Sequence, residues 1–155
     1  MINILIILLA KYLFLISILI GVVYFFTVNK AIKKQLLYLS LISFPLSFIF
    51  AKVSGMFIKD PRPFVVEHIK PLIVHAADNG FPSDHTLLTM AIASVVFAYN
   101  KKLGSVLFII ALLVGTARIL ALLHHPIDII GSTIIAISTT TIVYLAEKRF
   151  IHVLK

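Results

Sequence analysis

The chain has no cysteine among its 155 residues, which excludes disulfides, zinc–thiolate sites and thiol nucleophiles. Carboxylates are nearly as scarce: Asp and Glu together number six against fourteen Lys and Arg, and charged residues make up only 13% of the whole. No internal repeat, low-complexity tract or linker divides the sequence, so residues 1–155 read as a single domain. The first apolar stretch, Ile2 to Phe26, lacks a basic flank and a small-residue cleavage site and is too long for a signal-peptide core. It reads as a permanent span.

What is abundant is apolar surface. Hydrophobic residues are 61% of the chain and the mean hydropathy is +1.10, more than a water-soluble domain can hide. A spanning helix needs roughly 20 apolar residues. Cutting at the charge clusters leaves five candidates: Ile2 to Val28, Leu36 to Ile58, Thr86 to Tyr99, Leu103 to Leu123 and Ile127 to Leu145. In hydrocarbon each must satisfy its own backbone hydrogen bonds, so all five are expected as helices. The third is short and is expected to start at Ser83 or Asp84. The fold class is therefore an all-α integral membrane protein, a bundle of about five transmembrane helices.

The net charge of +8 does not point to nucleic acid, because the basic residues sit in clusters between apolar runs rather than along one face. Their expected partner is the membrane surface. Lys30, Lys33, Lys34, Lys101, Lys102, Lys148, Arg149 and Lys155 fall on one side of the layout. By the positive-inside rule that side is cytoplasmic, with the N-terminus outside, the C-terminus inside and the loop Lys59 to Pro82 facing outward.

On this layout, drawn without regard to chemistry, the unusual polar residues converge on the outer face. Arg62 follows span 2; Ser83, Asp84 and His85 open span 3; Arg118 lies near the outer end of span 4; His124 and Asp128 open span 5. Ser83 or Asp84 makes a good helix cap, and the start of span 3 offers free N–H groups and a positive dipole end to an anion. Capping alone accounts for those two residues but not for His85. Arg118 among apolar residues costs about 2.5–3.5 kcal/mol near a bilayer centre and less near its edge, so it calls for a carboxylate or a phosphate. With a helix starting near Pro126, Asp128 lies about one turn from His124 and can accept from one imidazole nitrogen, leaving the other free as a nucleophile. His125 points elsewhere on helical geometry and reads as a bystander. The loop from Phe64 to Phe81 mixes apolar and polar residues and suits either the headgroup plane beside the substrate's route or a plain connection.

These pieces, Arg62-Pro63, then Pro82-Ser83-Asp84-His85, then Ala117-Arg118, five residues, His124, three residues and Asp128, resemble the three-part signature of the type 2 phosphatidic acid phosphatase superfamily, which includes the vanadium haloperoxidases. Order, spacing and helix-end placement agree over roughly residues 52–131. The runs at 62–65 and 81–86 resemble the bacterial undecaprenyl diphosphatase branch in particular. The resemblance implies a lipid phosphatase that needs no cofactor or metal. It implies that His124 attacks phosphorus and becomes a phosphohistidine, Asp128 orients it and His85 protonates the leaving oxygen. Arg62, Arg118, Ser83 and the N–H groups at Asp84 would hold the phosphoryl oxygens. Two positions depart from the pattern. Its first-motif lysine falls on Gly55, leaving Lys52, one turn deeper, or Lys59 to take its place; its third-motif serine is Ala117.

The expected activity is hydrolysis of the terminal phosphate of a lipid (di)phosphate, undecaprenyl diphosphate first, with lipid A 1-phosphate, phosphatidylglycerol phosphate and phosphatidate as alternatives. A non-catalytic membrane protein with Arg118 and Asp128 as a structural pair would tolerate loss of His124. A metal-dependent hydrolase using His85, His124 and Asp128 is disfavoured by the few carboxylates and by arginines redundant with a cation.

Overall fold

A computed structural model describes residues 1–153. It contains six helices: α1 (Ile2–Thr27), α2 (Lys30–Phe57), the single turn α3 (Pro63–Val66), α4 (Asp84–Tyr99), α5 (Lys101–Leu120) and α6 (Pro126–Val153), with no strand among the described residues. Four of them, α1, α2, α5 and α6, are long and apolar enough to cross a membrane; α4 is apolar but has only 16 residues. Lys155, expected beside the other basic residues, lies outside the described residues.

The helix ends follow local chemistry and correct three of the expected boundaries. Asn29 caps α2 by accepting from Ile32 N–H at 3.0 Å, so α2 opens at Lys30, six residues before the expected Leu36, and carries the basic cluster in its first turns. Asn100 does the same for Leu103 at 3.0 Å, which splits α4 from α5 with no intervening loop. α5 stops at Leu120 instead of Leu123, because Leu122 takes the left-handed conformation at φ 64° and the chain turns on itself. Pro126 opens α6, whose helix-favouring Ala146, Glu147, Lys148 and Arg149 carry it beyond the expected Leu145.

α4 is the hub. It packs against α1, α2, α5 and α6, and nearly every residue from Thr86 to Val96 is buried. Such a helix needs no amphipathic stripe, because protein surrounds it on all sides. At 1.5 Å per residue it is about 24 Å long, against about 40 Å for α1 and α2. The polar cavity lies at its N-terminal end.

The long connection after α2 is packed rather than loose. Asn79 ties it to α2, donating to Gly55 O and Ile58 O at 2.9 Å and accepting from Asp60 N–H at 2.8 Å. Leu72 N–H reaches Ala121 O, and Ile73 is buried with Ala10, Ala117, Ala121 and Leu123. The segment thereby closes one end of the bundle while Val66, Ile69 and Val74 stay exposed.

Candidate active site

A cavity of about 370 Å³ at the N-terminus of α4 is walled by Lys52, Arg62, Asp84, His85, Arg118 and His124 among others. Residues separated by up to 72 positions therefore meet in one space. Ser83 and Asp128 stand behind the wall, fully buried.

His124 sits in the turn between α5 and α6, just past the left-handed Leu122. Its Nδ1 lies 3.1 Å from Asp128 Oδ2, and its Nε2 lies 3.3 Å from a terminal nitrogen of Arg62. A guanidinium only donates, so Nε2 must present its lone pair and Nδ1 must carry the proton given to Asp128. The contacts themselves select the tautomer. Burial is the largest cause pushing the His124 pKa below the ordinary imidazole value; the positive charges of Arg118 and Arg62 act the same way, opposed by Asp128. The neutral imidazole has the free electron pair a nucleophile requires.

Arg62 is clamped from behind. Its Nε donates to Asp78 Oδ1 at 2.7 Å and its terminal nitrogen to Leu123 O at 2.8 Å. Arg62 in turn holds the Asp78 carboxyl below the usual carboxylate range. Arg118 differs: it is buried, and nothing among the described residues accepts from its Nε. A buried guanidinium facing a cavity, with no carboxylate in contact among the described residues, leaves room for an anion.

The first turn of α4 completes the site. Ser83 holds the cap position, but its side chain makes no cap bond; its Oγ accepts from Thr86 Oγ1 at 3.2 Å. The leading N–H groups of α4 are left for another acceptor. His85 stands edge-on to Phe14 of α1, ring centroids 4.8 Å apart. Asp84 is exposed and lies 3.5 Å from Lys52 Nζ.

The two lysine candidates separate clearly. Lys52 lines the cavity, whereas Lys59 Nζ folds back to Gly55 O at 3.3 Å and caps α2. Position 55 has no space for a side chain there: a Cβ would lie 2.9 Å from Phe81 O. Sequence reading missed Asp78, which anchors Arg62, and His75, which lines the cavity. Both sit in the loop whose irregular mixture of polar and apolar residues carried no periodic signal. His125 is turned away from the cavity wall toward Asp60.

Residues 35–151 match the PAP2 superfamily. The chain is 46% identical over 78 residues to undecaprenyl-diphosphatase BcrC of Bacillus subtilis (strain 168), covering 50% of this chain and 40% of that protein. It is 31% identical over 134 residues to the bacitracin transport permease protein BcrC of Bacillus licheniformis, covering 84% and 66% respectively. The chain thus spans between two fifths and two thirds of the length of these relatives. The crystal structure of Aquifex aeolicus LpxE shares the fold, with a TM-score of 0.72 over 92% of this chain and 84% of that one, at 24% identity.

Proposed function

This chain belongs to the PAP2 superfamily, and from that premise we propose that it hydrolyses the terminal phosphate of a membrane lipid (di)phosphate through a phosphohistidine on His124. One observation carries the reading: Nε2 of a neutral imidazole, oriented by Asp128, opens on a cavity that also holds the buried Arg118, whose Nε has no acceptor among the described residues.

The chemistry follows from the positions. An entering phosphoryl oxygen takes over the Arg62 donor now facing Nε2, which frees the lone pair for attack. As Nε2 bonds to phosphorus, the bond from phosphorus to the leaving oxygen breaks and that oxygen takes a proton from His85. Water then attacks the phosphohistidine, His85 accepts its proton, and the N–P bond breaks to release inorganic phosphate. Arg62, Arg118, Lys52 and the α4 N–H groups offset the charge that spreads over the equatorial oxygens in both steps. Asp128 stabilises the imidazolium character that grows on His124. Ser83, behind the wall, supports the start of α4, while Asp84 holds Lys52 at the mouth.

Undecaprenyl diphosphate is the leading substrate, supported by the identity to the Bacillus subtilis relative. The basic residues at the starts of α2 and α5 and near the end of α6 support a cytoplasmic location for the bundle end opposite the cavity, and with it a site on the non-cytoplasmic face of the cell membrane. The test is phosphate release by purified protein in detergent from undecaprenyl diphosphate, undecaprenyl phosphate, lipid A, phosphatidylglycerol phosphate and phosphatidate, with His124→Ala as the blank. Preference for the diphosphate supports the assignment. Equal activity of the blank removes it.

A further inference from the structure

Asp60 lies in the turn leaving α2 and has no part in the steps above. Its backbone is pinned on both sides: its N–H donates to Asn79 Oδ1 at 2.8 Å and its carbonyl accepts from Gly80 N–H at 2.8 Å. The turn seats flush against Asp128, since a Cβ at Gly80 would lie 2.9 Å from Asp128 Oδ2 and 3.1 Å from Asp60 O.

This packing brings Asp60 and His125 to the back of the His124–Asp128 pair. Asp128 Oδ2 is used twice, by His124 Nδ1 at 3.1 Å and by His125 N–H at 2.9 Å. Its other oxygen, Oδ1, is buried and has no donor among the described residues, and the same holds for Asp60 Oδ2. One ligating atom from each of Asp60, His125 and Asp128 falls within 4.8 Å of the others, and His125 Nδ1 is 3.0 Å from Asp60 Oδ1. One orphan oxygen on each of two neighbouring carboxyls is a pairing that a single shared proton would satisfy. Asp128 already receives two hydrogen bonds as an anion, so the proton belongs on Asp60.

We infer that Asp60 is a positioning residue for the reaction, donating from its protonated Oδ2 to Asp128 Oδ1 and so fixing the carboxylate that orients His124. The inference rests on His124 being the nucleophile. Burial, the largest cause, and the negative charge of Asp128 hold the Asp60 carboxyl above the ordinary carboxylate range, partly opposed by His125. The titratable groups facing Asp60 are Asp128 from α6 and His125 from the turn before it; Arg62 is turned to Asp78 and Leu123 O, and Lys59 to Gly55 O. Ionising Asp60 would set two negative charges together and release Asp128 from its position.

The test compares Asp60→Asn with Asp60→Ala. An asparagine amide can still donate to Asp128 at any pH, whereas alanine leaves Asp128 Oδ1 without a donor. Asp60→Ala should lower kcat by roughly 10–100-fold, the usual cost of losing a group that orients a site histidine, with KM little changed. Asp60→Asn should recover most of that loss, and any fall in kcat that follows Asp60 ionisation in the wild type should be absent from it. A readout independent of turnover is the nitrogen NMR of His124 in micelles: wild type and Asp60→Asn should hold the Nδ1–H tautomer and Asp60→Ala a mixture. If Asp60→Asn is as impaired as Asp60→Ala, or Asp60→Ala leaves both tautomer and profile unchanged, the inference fails. It also fails if chelator disturbs the wild-type tautomer and one divalent metal restores it, because the three atoms would then serve a cation. Absence of phosphate release from wild type would instead remove the phosphatase reading on which the inference rests, and the tautomer comparison would then decide only whether Asp60 fixes Asp128 and His124.

Discussion

His124 and His85 line the same cavity from different elements, and their proposed roles fail differently when removed. His124→Ala should abolish turnover on every substrate, since no later step begins without the covalent intermediate. His85→Ala should lose about 10²–10⁴-fold on a lipid phosphomonoester, whose alkoxide leaves poorly, and much less on a diphosphate or an activated aryl phosphate. Initial rates of both variants on the three substrate types check this; a His85→Ala equally inactive on all of them, beside residual turnover by His124→Ala, would exchange the roles. The pH dependence has a defined sign. If His124 is the nucleophile, only its neutral form attacks, and its folded pKa is lowered, so the acid limb of kcat/KM that it sets should lie below the ordinary imidazole value of about 6.5. An acid limb of kcat/KM lying above pH 6.5 would contradict the desolvated, arginine-flanked imidazole.

At the scale of elements, the close approach of α2 to the 79–82 turn decides which lysine can serve the cavity. Gly55 is in near contact with Phe81 O, so the lysine expected there has no room, and Lys52 lines the cavity one turn deeper. Lys52→Ala should raise KM for a lipid phosphate by about tenfold, the scale of one partly exposed charge-assisted contact, whereas Lys59→Ala should leave KM near wild type. Gly55→Lys should not rescue Lys52→Ala and should lower the melting temperature, because the added Cβ pushes α2 from the turn that carries Asn79 and Phe81. Rescue by Gly55→Lys would show that the turn yields and that the site tolerates a second lysine position. KM and thermal midpoint measured on the four variants distinguish these outcomes.

For the whole molecule, the bundle carries basic clusters at one end and the polar cavity at the other, and the proposed orientation rests on that polarity. The chain lacks cysteine, so single cysteines report sidedness cleanly. Val74 is 91% exposed on the loop near the cavity and Lys102 is exposed at the opposite end, while Asn79 and Asn100 are committed to hydrogen bonds and make poorer probes. Val74→Cys should label with an impermeant thiol reagent in intact cells and Lys102→Cys only after permeabilisation; the reverse pattern would invert the protein. Phosphate release should survive excess chelator, since Arg62, Arg118 and the α4 amides supply the positive field at the cavity. Loss of activity with chelator and recovery with one metal would move the chemistry to a cation.

By itself the sequence determined whatever depends on spacing along one element. Apolar run length separated the helices, and a four-residue step across Pro126 set Asp128, in the first turn of α6, against His124 just ahead of that helix. The three motifs likewise marked Arg62, His85 and Arg118, which now share one cavity. Tertiary structure alone decided the contacts between distant segments. The guanidinium of Arg62 reaches Leu123 O and Asp78; Gly55 yields its place to Lys52; Asp60 reaches the back of Asp128 because Asn79 and Gly80 fold the loop onto α2. None of these pairings leaves a periodic trace in the chain, since a loop residue is placed by what packs against it from elsewhere in the fold.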